Sequence, residues 1–269
     1  IWTDHPLDDD FSNDTLALQI TNIPNVTTFP YTEDFESGRG GWVADGVNSS
    51  WAYGEPRNAT INTAINGDRA WGTGQLVGDY NDDEQSYVQG PCFDFSSVFR
   101  PQINMDVWWE CFTGSDGAAL LYSIDDGQTW QTAGAQGDGI NWYNNNSISG
   151  NPGGQGSGWS GSGTNGSQFW VNAKLDLPQL AGQPSVLFRV AFGSNSFSTT
   201  DGFAFDNVAI GNAPVINLPD TVTGCGFVTL DAGASGLTYQ WSNGANTQQT
   251  TFIAGPVTST ETVTLYVEN

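Results

Sequence analysis

The sequence is short of the residues that most enzymes and nucleic-acid binders rely on. It has one histidine, His5, and six basic side chains, Arg39, Arg57, Arg69, Arg100, Lys174 and Arg189, in 269 residues. A single histidine removes Ser-His-Asp and Cys-His catalysis and any His-based zinc site. Lys174 is the one lysine and stands in a strand-like context, so there is no glycine-rich phosphate loop with its lysine. Carboxylates that could serve as a glycosidase pair are plentiful, Glu55, Glu84 and Glu110 among them, but nothing singles out two of them. No run approaches the ~20 apolar residues of a membrane-spanning helix. Ile1 does not open a signal peptide, and the chain starts as though cut from something longer. Runs of Lys, Glu and Ala at helical spacing are also missing, so helix is expected to be nearly absent.

Cysteine is scarce as well. Cys92 and Cys111 lie on apparently neighbouring strands and are open to two readings, a bridge or two small buried apolar residues. Cys225 has no obvious partner.

Acid, glycine and aromatic residues are abundant. Twenty-nine acidic residues give a net charge of -23, which repels polyanions and makes nucleic acid and anionic membranes poor partners. So much uncompensated carboxylate strains the compact state unless cations bind it or salt screens it; the plainer alternative is that it serves solubility. Aromatics make up 13% of the chain, 11 of them Trp, enough for a packed core. With 34 glycines and many Asn, Ser and Thr, the composition predicts short strands joined by turns.

Three regions follow. Residues 1–26 hold an acidic stretch, Asp8 to Asp14, whose spaced oxygens suit either Ca²⁺ or a solvated turn. An alternating strand, Thr15 to Thr21, comes next. A lone strand cannot bury its apolar face, so it ends a preceding domain, packs on the next one, or pairs with another molecule. Pro24 to Pro30 reads as linker. Residues 27–212 read as a large β domain, with strands around Trp51, Ser86–Gly90, Gln102–Trp109, Ala118–Ser123, Phe169–Ala173, Val186–Phe192 and Gly202–Ile210. Gly150 to Gly166 is expected to be a long exposed loop. Residues 213–269 show strands at the close spacing of a small Ig-like sandwich, Val215–Leu218, Phe227–Leu230, Thr238–Ser242, Gln248–Phe252 and Thr262–Val267, with Trp241 as core plug. The fold class is therefore all-β: a large β-sandwich followed by a small one.

An ordered series of motifs makes this more specific. It runs from Glu33-Asp34-Phe35-Glu36 and Trp42 through Gly67-Asp68-Arg69-Ala70-Trp71 and Gly90-Pro91-Cys92-Phe93-Asp94-Phe95. It continues with the hairpin Ser123 to Trp130 and closes on Gly202-Phe203-Ala204-Phe205-Asp206-Asn207-Val208. Over some 180 residues this resembles the MAM-like jelly-roll modules of large secreted bacterial surface proteins. Thr229 to Gly233 and Tyr239 to Ala245 resemble the Ig-like or PKD-like beads that follow them. The resemblance implies an adhesin or filament segment, exported by the type IX route of gliding bacteria to the cell surface, non-enzymatic, with surface glycans or proteins of other cells as partners and a possible homo-oligomer or filament as its assembly.

It also implies structural calcium. First and last strands of a jelly roll lie side by side, so Glu36 and Asp206 are expected to converge, with Asp68 and Asp34 as further ligands; carboxylates that close repel unless a hard cation holds them. The hairpin Ser123 to Trp130 has the spacing of an Asp box, in which Asp125 and Ser123 take backbone hydrogen bonds, Gly127 supplies a positive φ and Trp130 packs beneath. A competing reading makes the large domain a carbohydrate-binding module accessory to a secreted enzyme, with Trp142, Tyr143 and Trp159 as the stacking platform.

Overall fold

The computed structural model describes residues 23–216, 218–219, 221–224, 226–233, 237–253 and 262–268. The Asp8 to Asp14 stretch, the Thr15 to Thr21 strand and Cys225 lie outside them. The chain divides into two compact units, Ile1–Asn212 and Ala213–Asn269. The described residues contain strands and short 3-10 turns, with no α-helix, and no helix is long and apolar enough to cross a membrane.

The large unit is a sandwich of two six-stranded sheets. The first has β6 (Gln85–Phe93) at its heart, flanked on one side by β1 (Asn25–Val26) and β3 (Val43–Val47), and on the other by β11 (Val186–Gly193), β8 (Gly117–Ser123) and β9 (Gln131–Thr132). The second runs β10 (Val171–Asp176), β7 (Pro101–Glu110), β12 (Gly202–Asn212), β5 (Ala70–Gly72), β4 (Ala52–Gly54), with β2 (Tyr31–Glu33) also on β12. Strict alternation drives the assembly. In β7, Ile103, Met105 and Val107 are fully buried while Gln102, Asn104 and Asp106 are not, as a pleated strand with one core face requires. Opening strand β2 pairs antiparallel with closing strand β12, Glu33 opposite Val208, which is the jelly-roll closure. The core is aromatic, with Trp42, Trp51, Phe35, Phe192, Phe203 and Phe205 meeting edge to face or tilted at ring separations of 5.4–6.5 Å.

Three sequence expectations need correction. The linker between Pro24 and Pro30 is partly a strand: Asn25–Val26 runs parallel to Cys92–Phe93, and Phe29 meets Phe95 edge-on at 5.3 Å. Its two apolar residues outweigh the flanking prolines. The Gly150 to Gly166 loop is not exposed along its length, since Trp159 and Pro152 are buried and Trp159 pairs with Ala118. Its glycines allow close approach; a Cβ on Gly158 would stand 2.2 Å from the Ala118 carbonyl oxygen. Cys92 and Cys111 are unbridged: Cys92 lies in β6 beside Ser185 Oγ, and Cys111, just past β7, donates to the Gly202 carbonyl at 3.0 Å.

The small unit has two two-stranded sheets, β13 (Phe227–Asp231) with β15 (Gln249–Ile253) and β14 (Thr238–Trp241) with β16 (Leu265–Glu268). Trp241 is 1% exposed, packs with Tyr239 and Ala232, and donates its indole N–H to the Thr247 carbonyl at 2.7 Å. The expected strand at Val215 is not formed: Val215 and Ile216 have no strand pairing.

Candidate functional site

Two of the four buried acids, Asp201 and Asp206, hold a segment that packs on the outer face of the second sheet. Strand β12 turns Phe203 and Phe205 into the sandwich and Ala204 outward, where Ala204, Trp108, Ile61 and Trp170 form a second apolar cluster. That cluster seats the segment 55–69 on the sheet, and Trp170 Nε1 fastens it by donating to the Thr63 carbonyl at 2.9 Å. Carboxylates from distant parts of the chain then hold its backbone. Asp201 accepts from the Thr60 and Ile61 amides, Asp206 from Ile65 at 3.3 Å, and Glu36 from Asp68 at 3.1 Å and Arg69 at 2.8 Å.

Asp206 is the unusual member. It is fully buried and lies directly opposite Asp106 in the β7–β12 register, a like-charge pair that costs stability when both are ionised. Asp106 is engaged by the side-chain amides of Asn172 and Asn207, each at 2.9 Å. Asp206 accepts only the Asn207 amide at 2.7 Å and the long bond from Ile65. Burial, reinforced by the charges of Asp106 and Glu36, pushes its carboxyl up to about 7. A bulge after Asp206 places Asn207 at φ 48°, beside an open cleft of about 370 Å³ lined by Thr32, Glu33, Asp34, Asn207, Val208 and Ala209.

The structure thus brings Glu36 and Asp206 to one loop, but the four expected metal ligands do not form a cage. Among the described residues no three Asp, Glu, His or Cys side chains surround a common point. Asp34 Oδ1 turns back to the Glu36 amide at 3.1 Å, and Asp68 is exposed and joins through its backbone. What remains is a buried carboxylate, Asp206, whose proton affinity is raised by the charges of Asp106 and Glu36 and which has no ion-pair partner among the described residues. The described residues hold one ion pair, Arg57 with Glu55, both at the surface.

Sequence reasoning missed two further buried acids. Glu84 accepts four bonds, from the Ser50 amide at 2.8 Å, the Ser50 hydroxyl at 2.6 Å, the Ser86 hydroxyl and the Asn81 amide at 3.3 Å. Asp116 accepts from the Tyr80 hydroxyl at 2.6 Å and the Asn195 amide at 2.9 Å, and burial raises its carboxyl above the usual range. Ser86 and Asn81 are local to Glu84, but the partners that bury these acids, Ser50, Tyr80 and Asn195, lie 34 to 79 residues away, so the sequence around each acid does not mark it.

The expected aromatic platform does not exist at the surface. Trp142, Tyr143 and Trp159 are 2%, 4% and 0% exposed and pack on one another at ring separations of 4.7–5.4 Å. The tyrosine hydroxyl accepts from the Leu120 amide at 3.0 Å and donates to the Leu120 carbonyl at 2.9 Å. These rings plug the end of the sandwich because the glycine-rich loop folds over β8, and no sugar can stack on them.

The Asp-box hairpin has the expected internal bonds. Asp125 takes the Thr129 hydroxyl at 2.6 Å and amide at 2.9 Å and the Ser123 hydroxyl at 2.7 Å, Gly127 stands at φ 82°, and Trp130 Nε1 donates to the Gly127 carbonyl at 3.1 Å. These bonds, the Thr129 hydroxyl first, hold the Asp125 carboxyl down at about 2. Its contribution is therefore present above the ordinary carboxylate range and lost as pH falls through about 2. Asp125→Ala should lower the melting temperature at pH 5–7, and the difference from the parent should vanish as pH approaches 2 in parallel thermal melts.

No family model matches the chain. Bacillopeptidase F of Bacillus subtilis (strain 168) is 26% identical over 198 residues, covering 72% of this chain and 11% of that protein, so the chain spans about a tenth of its length. Among solved structures, the K1 cleaved adhesin domain of Lys-gingipain from Porphyromonas gingivalis W83 aligns over 69% of this chain and 99% of its own, with 16% identity and a TM-score of 0.39. The C-terminal CBM6 of LamC, a marine laminarinase from Zobellia galactanivorans, aligns over 68% and 98%, with 14% identity and a TM-score of 0.35. Likenesses at these scores carry no argument about ligand or role.

Proposed function

We propose that this chain is a non-enzymatic, calcium-stabilised binding segment of a large extracellular surface protein, an adhesin or filament, that attaches to glycans or proteins of other cells. The observation that supports it best is the use made of buried charge. Glu84, Asp116, Asp201 and Asp206 all accept hydrogen bonds from amides or hydroxyls of the chain itself, which is the work of holding loops in place. The MAM-like and PKD-like assignments, the type IX export route and the cell-surface location belong to this reading through the motif series. Homo-oligomer or filament formation belongs to it through the alternating sequence Thr15 to Thr21, which lies outside the described residues.

Calcium is assigned to the Glu36 and Asp206 pair, with carbonyl oxygens of the 61–69 loop as additional donors; Ca²⁺ accepts such mixed oxygen sets. Bound there, the ion supplies the positive charge that Asp206, Asp106 and Glu36 lack and ties the first and last strands together. Protein in millimolar calcium should melt roughly 5 °C above chelator-treated protein, because a ligand held by the folded state alone stabilises it by mass action. Identical melting curves would remove the ion from the proposal.

A further inference from the structure

In a chain of net charge -23, a basic side chain is expected to be paired with an acid; Arg189 is in no ion pair among the described residues, and Asp45, opposite Tyr87 in the β3–β6 register, acts on the Tyr87 hydroxyl instead. It stands on the outer face of the first sheet, near Gln89 of β6 and opposite Leu121 of β8. Its guanidinium lies 4.1 Å from the ring centre of Trp130 and 4.8 Å from that of Tyr87. Its Nε is buried without a hydrogen-bond partner, and no ion pair or hydrogen bond engages the side chain among the described residues. Burial pulls the guanidinium below its ordinary value, so the folded chain holds this cation at some cost. Arg57, by contrast, pairs with Glu55, and Arg69 donates to the Glu36 carbonyl at 3.0 Å.

The surroundings define what would complete the site. Tyr87, Gln89, Trp130 and Arg189 are all half-exposed on one face. Both ring centres lie within 5 Å of the guanidinium carbon, and with Nε buried it is the terminal Nη edge that a ligand would reach. A planar donor edge matches a carboxylate in bidentate fashion, and a counter-anion would relieve the unpaired charge. The flanking rings offer apolar contact to a pyranose, while the Gln89 amide can exchange hydrogen bonds with sugar hydroxyls.

We propose that Tyr87, Arg189 and Trp130 form a binding site for a carboxylate-bearing sugar, a uronic acid residue in an extracellular polysaccharide. The site deepens the binding-segment reading and rests on it, but not on the calcium ion. The chain's overall negative charge disfavours densely acidic peptides and polyanions. A polysaccharide with spaced carboxylates is tolerated, since at physiological salt charges beyond ~8 Å are screened. Trp130 also ties the site to the Asp-box hairpin, which holds that ring in place.

Isothermal titration of the whole chain tests this with a glucuronic acid oligosaccharide, its methyl ester, and a glutamate-containing peptide of equal charge. The acid oligosaccharide should bind, and the ester should bind at least about tenfold more weakly. Arg189→Gln should abolish binding. Arg189→Lys, which keeps the charge and most of the stem but loses the fork, should weaken it about tenfold while its melting temperature stays near the parent's. Equal binding of ester and acid, preference for the peptide, full binding by the lysine variant, or no binding of the acid oligosaccharide would each overturn the assignment. A parent chain that fails to bind the acid oligosaccharide yet attaches to other glycans or to cells would leave the binding-segment reading standing while this site falls.

Discussion

Trp159→Ala is expected to cost the large unit about 3–5 kcal/mol, or roughly 10 °C in melting temperature for a unit of this size. The indole is fully buried and touches three rings, Trp142 at 5.0 Å, Tyr143 at 4.7 Å and Phe203 at 5.4 Å. Its N–H donates to the Asn141 carbonyl at 2.9 Å, so truncation opens a cavity and removes a hydrogen bond together. Because the ring has no exposed face, glycan binding measured well below the melting temperature should be unchanged. A variant that melts with the parent yet loses glycan binding would restore the aromatic platform and contradict the packing described above.

Asp206→Asn should change how stability depends on pH. The folded chain keeps a proton on Asp206 up to about 7, whereas the unfolded chain releases it near the ordinary value of 3.8. Without calcium, this group's contribution is therefore complete below about pH 4 and is lost as pH rises through about 7. Asparagine is never charged and keeps the 2.7 Å bond from Asn207, giving up at most the weak 3.3 Å bond from Ile65. The variant should match the parent near pH 4 and exceed it at pH 7.5 in chelator by roughly 5 °C. Added calcium should raise the parent and leave the variant where it was. A parent with a flat profile from pH 4 to 7.5, or a variant still responsive to calcium, would show that Asp206 neither holds the proton nor the ion.

How far the sequence could be read depended on the distance between partners. The alternation in Gln102 to Trp109 and the apolar run Val186 to Phe192 are local patterns, and both became central strands, β7 and β11. Short strands such as Val43–Val47 and Ala70–Gly72 escaped notice, since they are set by the neighbours they pair with, β6 in one case and β4 and β12 in the other. The tryptophans of the Gly150 to Gly166 region misled for a related reason. Trp159 sits among glycine and serine and has the composition of an exposed loop, yet those glycines are what let the backbone reach Ala118. The convergence of the 31–36 and 202–212 segments was legible through the motif series. The acids that staple the 55–69 segment were not, because Asp201 and Asp206 meet Thr60, Ile61 and Ile65 across 140 or 141 positions. Arg189 was equally silent, as its significance lies in the ion pair it lacks among the described residues.

The stapling of an early loop by late residues has a consequence for the order in which the molecule can mature. Until β12 is available, β2 has no partner and the 55–69 segment lacks two of its anchors. Edges and apolar faces then remain open to water and to other chains. Folding dominated by such long-range closures is slow and vulnerable to misassociation. A chain delivered N-terminus first would thus stay open, and suited to threading through a narrow passage, until its final strand locks the jelly roll in a single late step.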